Sequence, residues 1–247
     1  MLMDLVRRIV RALAPTWVAD RARRYLLIRR AQRLQRACRS FSDVDEILNA
    51  AFAFGTFEPN QIRSEVRRLL QIVGPLKARR ILEIGSQGGG TLFLFSKVAA
   101  PDAGILSIDL NYSTSQMAAY PFLADPGQRL TCVKADSHDS ATLKRVREWL
   151  GSDQLDVLFI DGDHSLAGVA ADHEMYAPLV RAGGVIAFHD IVQDHRTRYG
   201  RMTIANAGEV PVFWAQVKLE YPEYAEFVDD PGQDGAGIGV VRGRGRP

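Results

Sequence analysis

Ile81-Leu82-Glu83-Ile84-Gly85-Ser86-Gln87-Gly88-Gly89-Gly90-Thr91 is the stretch that decides the fold. An apolar run, Arg80–Ile84, ends in a turn with glycine at 85, 88, 89 and 90, and an amphipathic stretch, Thr91–Ala99, follows. A strand, a glycine turn and a helix in that order open a doubly wound α/β sheet, whose ligands bind outside the carboxyl ends of the strands, near where strand order reverses. Glycine lacks a Cβ, so the backbone can take positive φ and come close to a ligand. A dinucleotide fingerprint needs glycine at the position of Gln87, where the pyrophosphate presses on the main chain. Gln87 breaks that pattern, and a carboxylate at Glu83 is badly placed against a pyrophosphate. The same carboxylate suits a ligand whose amino-acid end carries an ammonium beside a sulfonium. The loop therefore favours a sulfonium nucleoside, with Glu83, Gly85, Ser86, Gln87, Gly89, Gly90 and Thr91 as its binding residues.

Outward from the loop, four more short apolar runs recur: Ile105–Asp109, Leu130–Lys134, Leu155–Ile160 and Val185–Phe188. Amphipathic stretches separate them, including Ser140–Leu150 and Ala170–Val180. Apolar strands alternating with helices imply a parallel sheet covered on both faces. A helix near Val212–Leu219 then precedes two strand-like pieces, Ala225–Val228 and Gly237–Arg242, joined by a turn-rich segment. The expected fold class is α/β, a Rossmann-like doubly wound sheet, mostly parallel with an antiparallel C-terminal edge strand, plus an N-terminal helical extension. Before the sheet, Ile62, Val66, Leu69, Leu70 and Val73 form a helical stripe that Gly74-Pro75 ends.

Asp109 closes the second strand twenty-four residues after Gly85, where an acid is placed to accept hydrogen bonds from ribose hydroxyls. After the third strand, Asp136, Ser137 and His138 offer side chains and amides to an adenine edge. The fourth strand ends in Asp161-Gly162-Asp163-His164 and the fifth in His189-Asp190, on the same rim as the glycine loop. Two carboxylates and an imidazole make a divalent-metal site, since oxygen ligands suit Mg²⁺ and imidazole widens the choice to Mn²⁺, Fe²⁺ or Zn²⁺. His164 is placed as a general base, its ordinary pKa of about 6.5 suiting proton uptake near neutrality. Asp172, His173 and Glu174 fall on a helix and read as surface residues. Asp194-His195 follows the site in a loop, as a candidate lining of an acceptor pocket.

In combination these motifs resemble those of class I methyltransferases that use S-adenosylmethionine. The nearest branch is the metal-dependent one with macrocin-type sugar O-methyltransferases and the so-called cephalosporin hydroxylase proteins. The resemblance covers roughly residues 60–242. It implies S-adenosylmethionine as cofactor, Asp161 between cofactor and catalytic site, metal held by Asp161, His189 and Asp190, and His164 as base. One departure stands out: the family places an acid where His189 stands, which removes a negative charge and weakens the fit to Mg²⁺. The activity so implied is transfer of a methyl group to a hydroxyl of a small molecule, such as a sugar-bearing or polyketide-like product or a glycan precursor.

Charge divides the chain of 247 residues. Residues 1–40 hold eleven arginines against Asp4 and Asp20, a net +9, leaving −7 on the rest. Met3, Val6, Val10, Leu13 and Trp17 form one apolar stripe that Pro15 interrupts. We read 1–50 as a basic helical extension, packed on a domain spanning 51–247, on a second subunit, or on anionic lipid headgroups. Cys38 and Cys132 lie in no metal-type spacing and imply no disulfide framework, which points to a reducing compartment, the cytoplasm or the inner face of its membrane. No apolar run is long enough to span a bilayer. The acidic body lacks a basic, aromatic-interleaved groove, so nucleic acid is not an expected partner. The competing readings are an NAD-dependent oxidoreductase on a similar sheet, and a non-catalytic nucleoside-binding scaffold docked through the basic arm.

Overall fold

The computed structural model describes the backbone of residues 16–245 and the side chains of 19–245. The proposed stripe of Met3, Val6, Val10 and Leu13, the break at Pro15 and the side chain of Trp17 lie outside the described residues. Seven strands form one sheet: β1 (Arg80–Ile84), β2 (Gly104–Asp109), β3 (Arg129–Lys134), β4 (Leu155–Ile160), β5 (Val180–His189), β6 (Tyr224–Phe227) and β7 (Ile238–Arg242). Their order is β3-β2-β1-β4-β5-β7-β6. The first five are parallel, and β7 runs antiparallel to both β5 and β6. The C-terminal strand thus slots one place in from the edge, which β6 occupies. Order reverses between β1 and β4, and that switch point positions the site.

Nine α-helices flank the sheet among the described residues: α1 (Thr16–Ala37), α2 (Val44–Phe54), α3 (Arg63–Val73), α4 (Gly90–Val98), α5 (Thr114–Ala119), α6 (Ser140–Leu150), α7 (Leu166–Tyr176), α8 (His195–Tyr199) and α9 (Val210–Glu220). Asp43 caps α2 by accepting from the amides of Asp45 and Glu46, and Gly55 ends it at φ 66°. Strand alternation sends Ile81, Ile105, Val157, Phe159 and Ala187 into one core with α1 to α5. Leu82, Ile84, Leu106, Leu158 and Ile186 point into the other core, with α6, α7 and α9. From the arginine-rich arm, Ala31, Leu34 and Cys38 enter the first core fully buried. Phe159 meets Phe95 edge to face at 5.7 Å, and truncating such a buried ring to alanine costs about 3–5 kcal/mol. No described helix is long and apolar enough to cross a membrane.

Candidate functional site

The glycine loop is shaped from both sides. Gly85 takes φ 78°, and a Cβ there would collide with the Asp161 carbonyl, so glycine lets β4 pass close behind the loop. Gln87 sits at φ 37°, a left-handed conformation costly to a residue with a Cβ. Its carbonyl is held there by Tyr120 Oη at 2.7 Å and Gln116 Nε2 at 2.9 Å. Asp109 Oδ2 accepts from the amides of Ser86 and Gln87, each at 3.1 Å, and Oδ1 from the amide of Asn111 at 2.7 Å. A carboxylate offers about four acceptor positions. Three are filled, so Asp109 keeps capacity for one ribose hydroxyl while it ties down the loop.

A cleft of about 910 Å³ runs along the carboxyl ends of the strands. Of the sequence-chosen residues it brings together Gly85, Ser86, Gln87, Gly90, Thr91, Asp109, Asp136, Ser137, His138, Asp161, His164, His189 and Asp190. Glu83 and Gly89 do not line it. Glu83 alternates onto the α3/α4 side of the sheet, is fully buried, and accepts from Thr91 Oγ1. Burial pushes its carboxyl well above the ordinary range. The expectation that Glu83 meets an ammonium is therefore corrected: its carboxyl belongs to the core between β1 and α4. Gly89 caps α4 at φ 78°, backed by the ring of Tyr120. Asp194 and His195 also turn from the cleft: Asp194 caps α8, and His195 Nε2 donates to the Gly232 carbonyl at 2.9 Å.

At the far end of the cleft two carboxylates face two imidazoles. His189 Nδ1 lies 3.1 Å from both Asp161 Oδ1 and Asp190 Oδ2. His164 Nε2 lies 3.5 Å from the same two oxygens. Only a donor can approach a carbonyl, so His164 Nδ1 carries the proton it shares with Asn206 O at 2.5 Å. Its Nε2 is therefore the nitrogen turned on the acids. Hydrogen bonding to Asp161 and the charge of Asp190 outweigh burial and push His164 up to about 9. Burial opposes charge on His189 as well, but Asp161 and Asp190 drive it well above its ordinary value. Burial alone would raise Asp161; the two imidazoles instead hold it down at about 2.

Asp161, His164 and Asp190 each bring a ligand atom to within 4.8 Å of the others, a donor set that fits a divalent cation. That set differs from the one expected, in which His189 was the third donor. His189 instead stands between the carboxylates, its Nε2 buried without a partner. It orients the acids more readily than it adds to them.

Several residues around the site carry no sequence motif. Segment 58–62, before α3, lines the cleft and packs directly on the glycine loop, where a Cβ at Gly90 would collide with Pro59 and Asn60 donates to Gln87 Oε1. Gln61 there is 5% exposed and donates from Nε2 to Asp161 Oδ2 at 2.8 Å, while its Oε1 is buried without a partner. Ala236, preceding β7, donates its amide to Asp190 Oδ1 at 3.0 Å. Asp172, expected on the surface, is 0% exposed; neither oxygen accepts a hydrogen bond, and His138 Nε2 lies 3.3 Å from Oδ1. Burial raises Asp172 to about 6.

With this geometry in view, residues 82–191 match the family model described as "Methyltransferase domain". No curated protein matches the sequence. Among solved structures, the chain is similar to cofactor-bound Rv0187 from MTB, at 20% identity over 82% of this chain and 90% of that one, with a TM-score of 0.58. It is also similar to the O-methyltransferase TomG of Streptomyces achromogenes, involved in tomaymycin synthesis and solved with SAM, at 20% identity over 79% and 88% of the two chains, TM-score 0.50. At these identities the likeness is one of fold, the Rossmann-like methyltransferase fold.

Proposed function

We infer that this chain, whose residues 82–191 match a methyltransferase-domain family model, moves the methyl group of S-adenosylmethionine to a hydroxyl oxygen of a small molecule. One observation carries the reading: the glycine loop with Asp109 and the acid–imidazole cluster line a single cleft, with Asp161 beside both. A sulfonium methyl is already activated, so the protein's work is alignment of donor and acceptor and preparation of the oxygen. The loop amides, Asp109 and the Asp136–His138 turn hold the nucleoside, and Gln61 offers its unpartnered Oε1 in place of Glu83, whose carboxyl lies in the core.

Asp161, His164 and Asp190 would hold a divalent cation, which when bound supplies Lewis acidity toward the acceptor oxygen. His164 is then a ligand through Nε2, with Nδ1 fixed by Asn206, the arrangement that orients a ligating imidazole. This reading moves His164 from base to ligand. Its free nitrogen is the ligand atom, and in the cation-free site the rise to about 9 keeps it protonated near neutrality. His189 positions the two carboxylates.

The test is transfer of radiolabelled methyl from S-adenosylmethionine to sugar and phenol acceptors, with and without excess chelator. Transfer to oxygen that chelator and Asp161→Asn both abolish is the expected result. Transfer that survives chelator removes the cation from this account, and labelling confined to nitrogen or carbon removes the hydroxyl.

A further inference from the structure

The segment after β5 differs in composition from the acidic body around it. From His195 to Gly208 there are three arginines, 196, 198 and 201, and no acid, although residues 41–247 together carry a net −7. Among the described residues none of these three forms a salt bridge. Interleaved with them are Tyr199, 53% exposed, Met202, 102%, and Ile204, 106%. Met202 and Ile204 are thus fully exposed to solvent.

The segment is pinned, not loose. Thr203, between the two apolar residues, turns inward and donates to Asp234, and its Oγ1 accepts the Ala205 amide at 3.0 Å. Met202 and Ile204 are thereby held outward. Arg198 anchors to the Pro231 carbonyl at 2.9 Å, and the guanidinium groups of Arg198 and Arg201 lie 6.0 and 5.2 Å from the Tyr199 ring centre. Ile204 also lines the cleft, so this tip stands at its mouth.

Apolar side chains projecting from a pinned tip, an exposed tyrosine and arginines in no ion pair among the described residues fit the boundary of an anionic bilayer. There the hydrocarbon receives the apolar groups, and the arginines stay at headgroup level. We propose that residues 195–206 dock this protein on an anionic lipid surface, with Met202 and Ile204 entering the interface and Arg196, Arg198 and Arg201 meeting the lipid phosphates. The cleft mouth then opens onto the bilayer, and the acceptor hydroxyl belongs to a molecule that resides in or partitions to that interface. The docking stands independently of the methyl-transfer reading; the statement about the acceptor rests on it.

The experiment is co-sedimentation of the full chain with vesicles of phosphatidylglycerol and phosphatidylcholine, and with vesicles of phosphatidylcholine alone. Binding to the anionic vesicles, weakened by salt and absent from the neutral ones, is expected. Arg198→Gln with Arg201→Gln should lower the partition coefficient about twentyfold, and Met202→Asp about tenfold. Unaltered thermal midpoints and S-adenosylhomocysteine affinity verify that both variants keep their fold and cleft. Absence of binding to anionic vesicles overturns the proposal. So does binding by the variants equal to that of the parent, which assigns the membrane contact to the arginine-rich N-terminal region instead. Failure of the parent to take up S-adenosylhomocysteine strikes the methyl-transfer reading and leaves the docking result untouched.

Discussion

Replacing His164 with glutamine tests the electrostatics of the site in a way that can be worked through in advance. His164 faces Asp161 and Asp190 through Nε2 and is pushed up to about 9, from an ordinary 6.5. A group whose folded-state pKa is raised stabilises the fold fully below the unfolded value, and the gain disappears as pH climbs through the folded value. At about 1.4 kcal/mol for each unit of pKa, the rise is worth about 3 kcal/mol below pH 6.5 and nothing well above pH 9. Glutamine cannot take up the proton, so this pH-dependent part vanishes in the variant. Urea denaturation of both proteins at pH 6, 7.5 and 10, with chelator present, measures it. The stability difference between parent and variant should shrink by about 3 kcal/mol from pH 6 to 10. A difference that stays constant across this range would show that the imidazole does not carry charge between the two carboxylates, and the account of the cluster would be wrong.

Asp109→Ala leaves the amides of Ser86 and Gln87 without their acceptor and removes one position for ribose. Affinity for S-adenosylhomocysteine should drop about 10- to 100-fold by calorimetry, and an unchanged affinity would refute the role of Asp109. Asp172→Asn concerns a carboxylate that burial raises to about 6, a group that costs stability increasingly as pH rises from 3.8 through 6. The variant should be more stable than the parent by about 2–3 kcal/mol at pH 7.5 and little changed at pH 4. Urea midpoints at the two pH values check this, and an equal shift at both would exclude buried charge as the cause.

The strands were legible because each is an apolar run closed by turn residues, and β1 and β4 fall on the residues read from the sequence. The C-terminal hairpin was legible as two strands but not in its placement. Pairing of β7 with β5 is a long-range choice that local pattern does not encode. Glycine spacing marked the loop, and the acids at strand ends marked the rim. Glu83 was misread because proximity to the loop in sequence stood in for direction. In a strand successive side chains alternate faces, and Glu83 shares its face with the α3/α4 core. Gln61 reaches Asp161 across a hundred residues of chain and belongs to no motif. The roles of His164 and His189 depend on which ring nitrogen faces the carboxylates, a matter of main-chain partners such as Asn206 O. Asp172 sits on α7, whose two apolar flanks gave no sign of which polar residue turns inward. In the arm, Ala31, Leu34 and Cys38 form a narrow stripe among arginines that charge alone concealed.

Titration calorimetry of the unmodified protein with S-adenosylhomocysteine bears most directly on the claim that this cleft holds a sulfonium nucleoside's product. The account predicts one molecule bound per chain, with no heat from NAD under the same conditions. Uptake of NAD with none of S-adenosylhomocysteine, by protein shown to be folded, would contradict it.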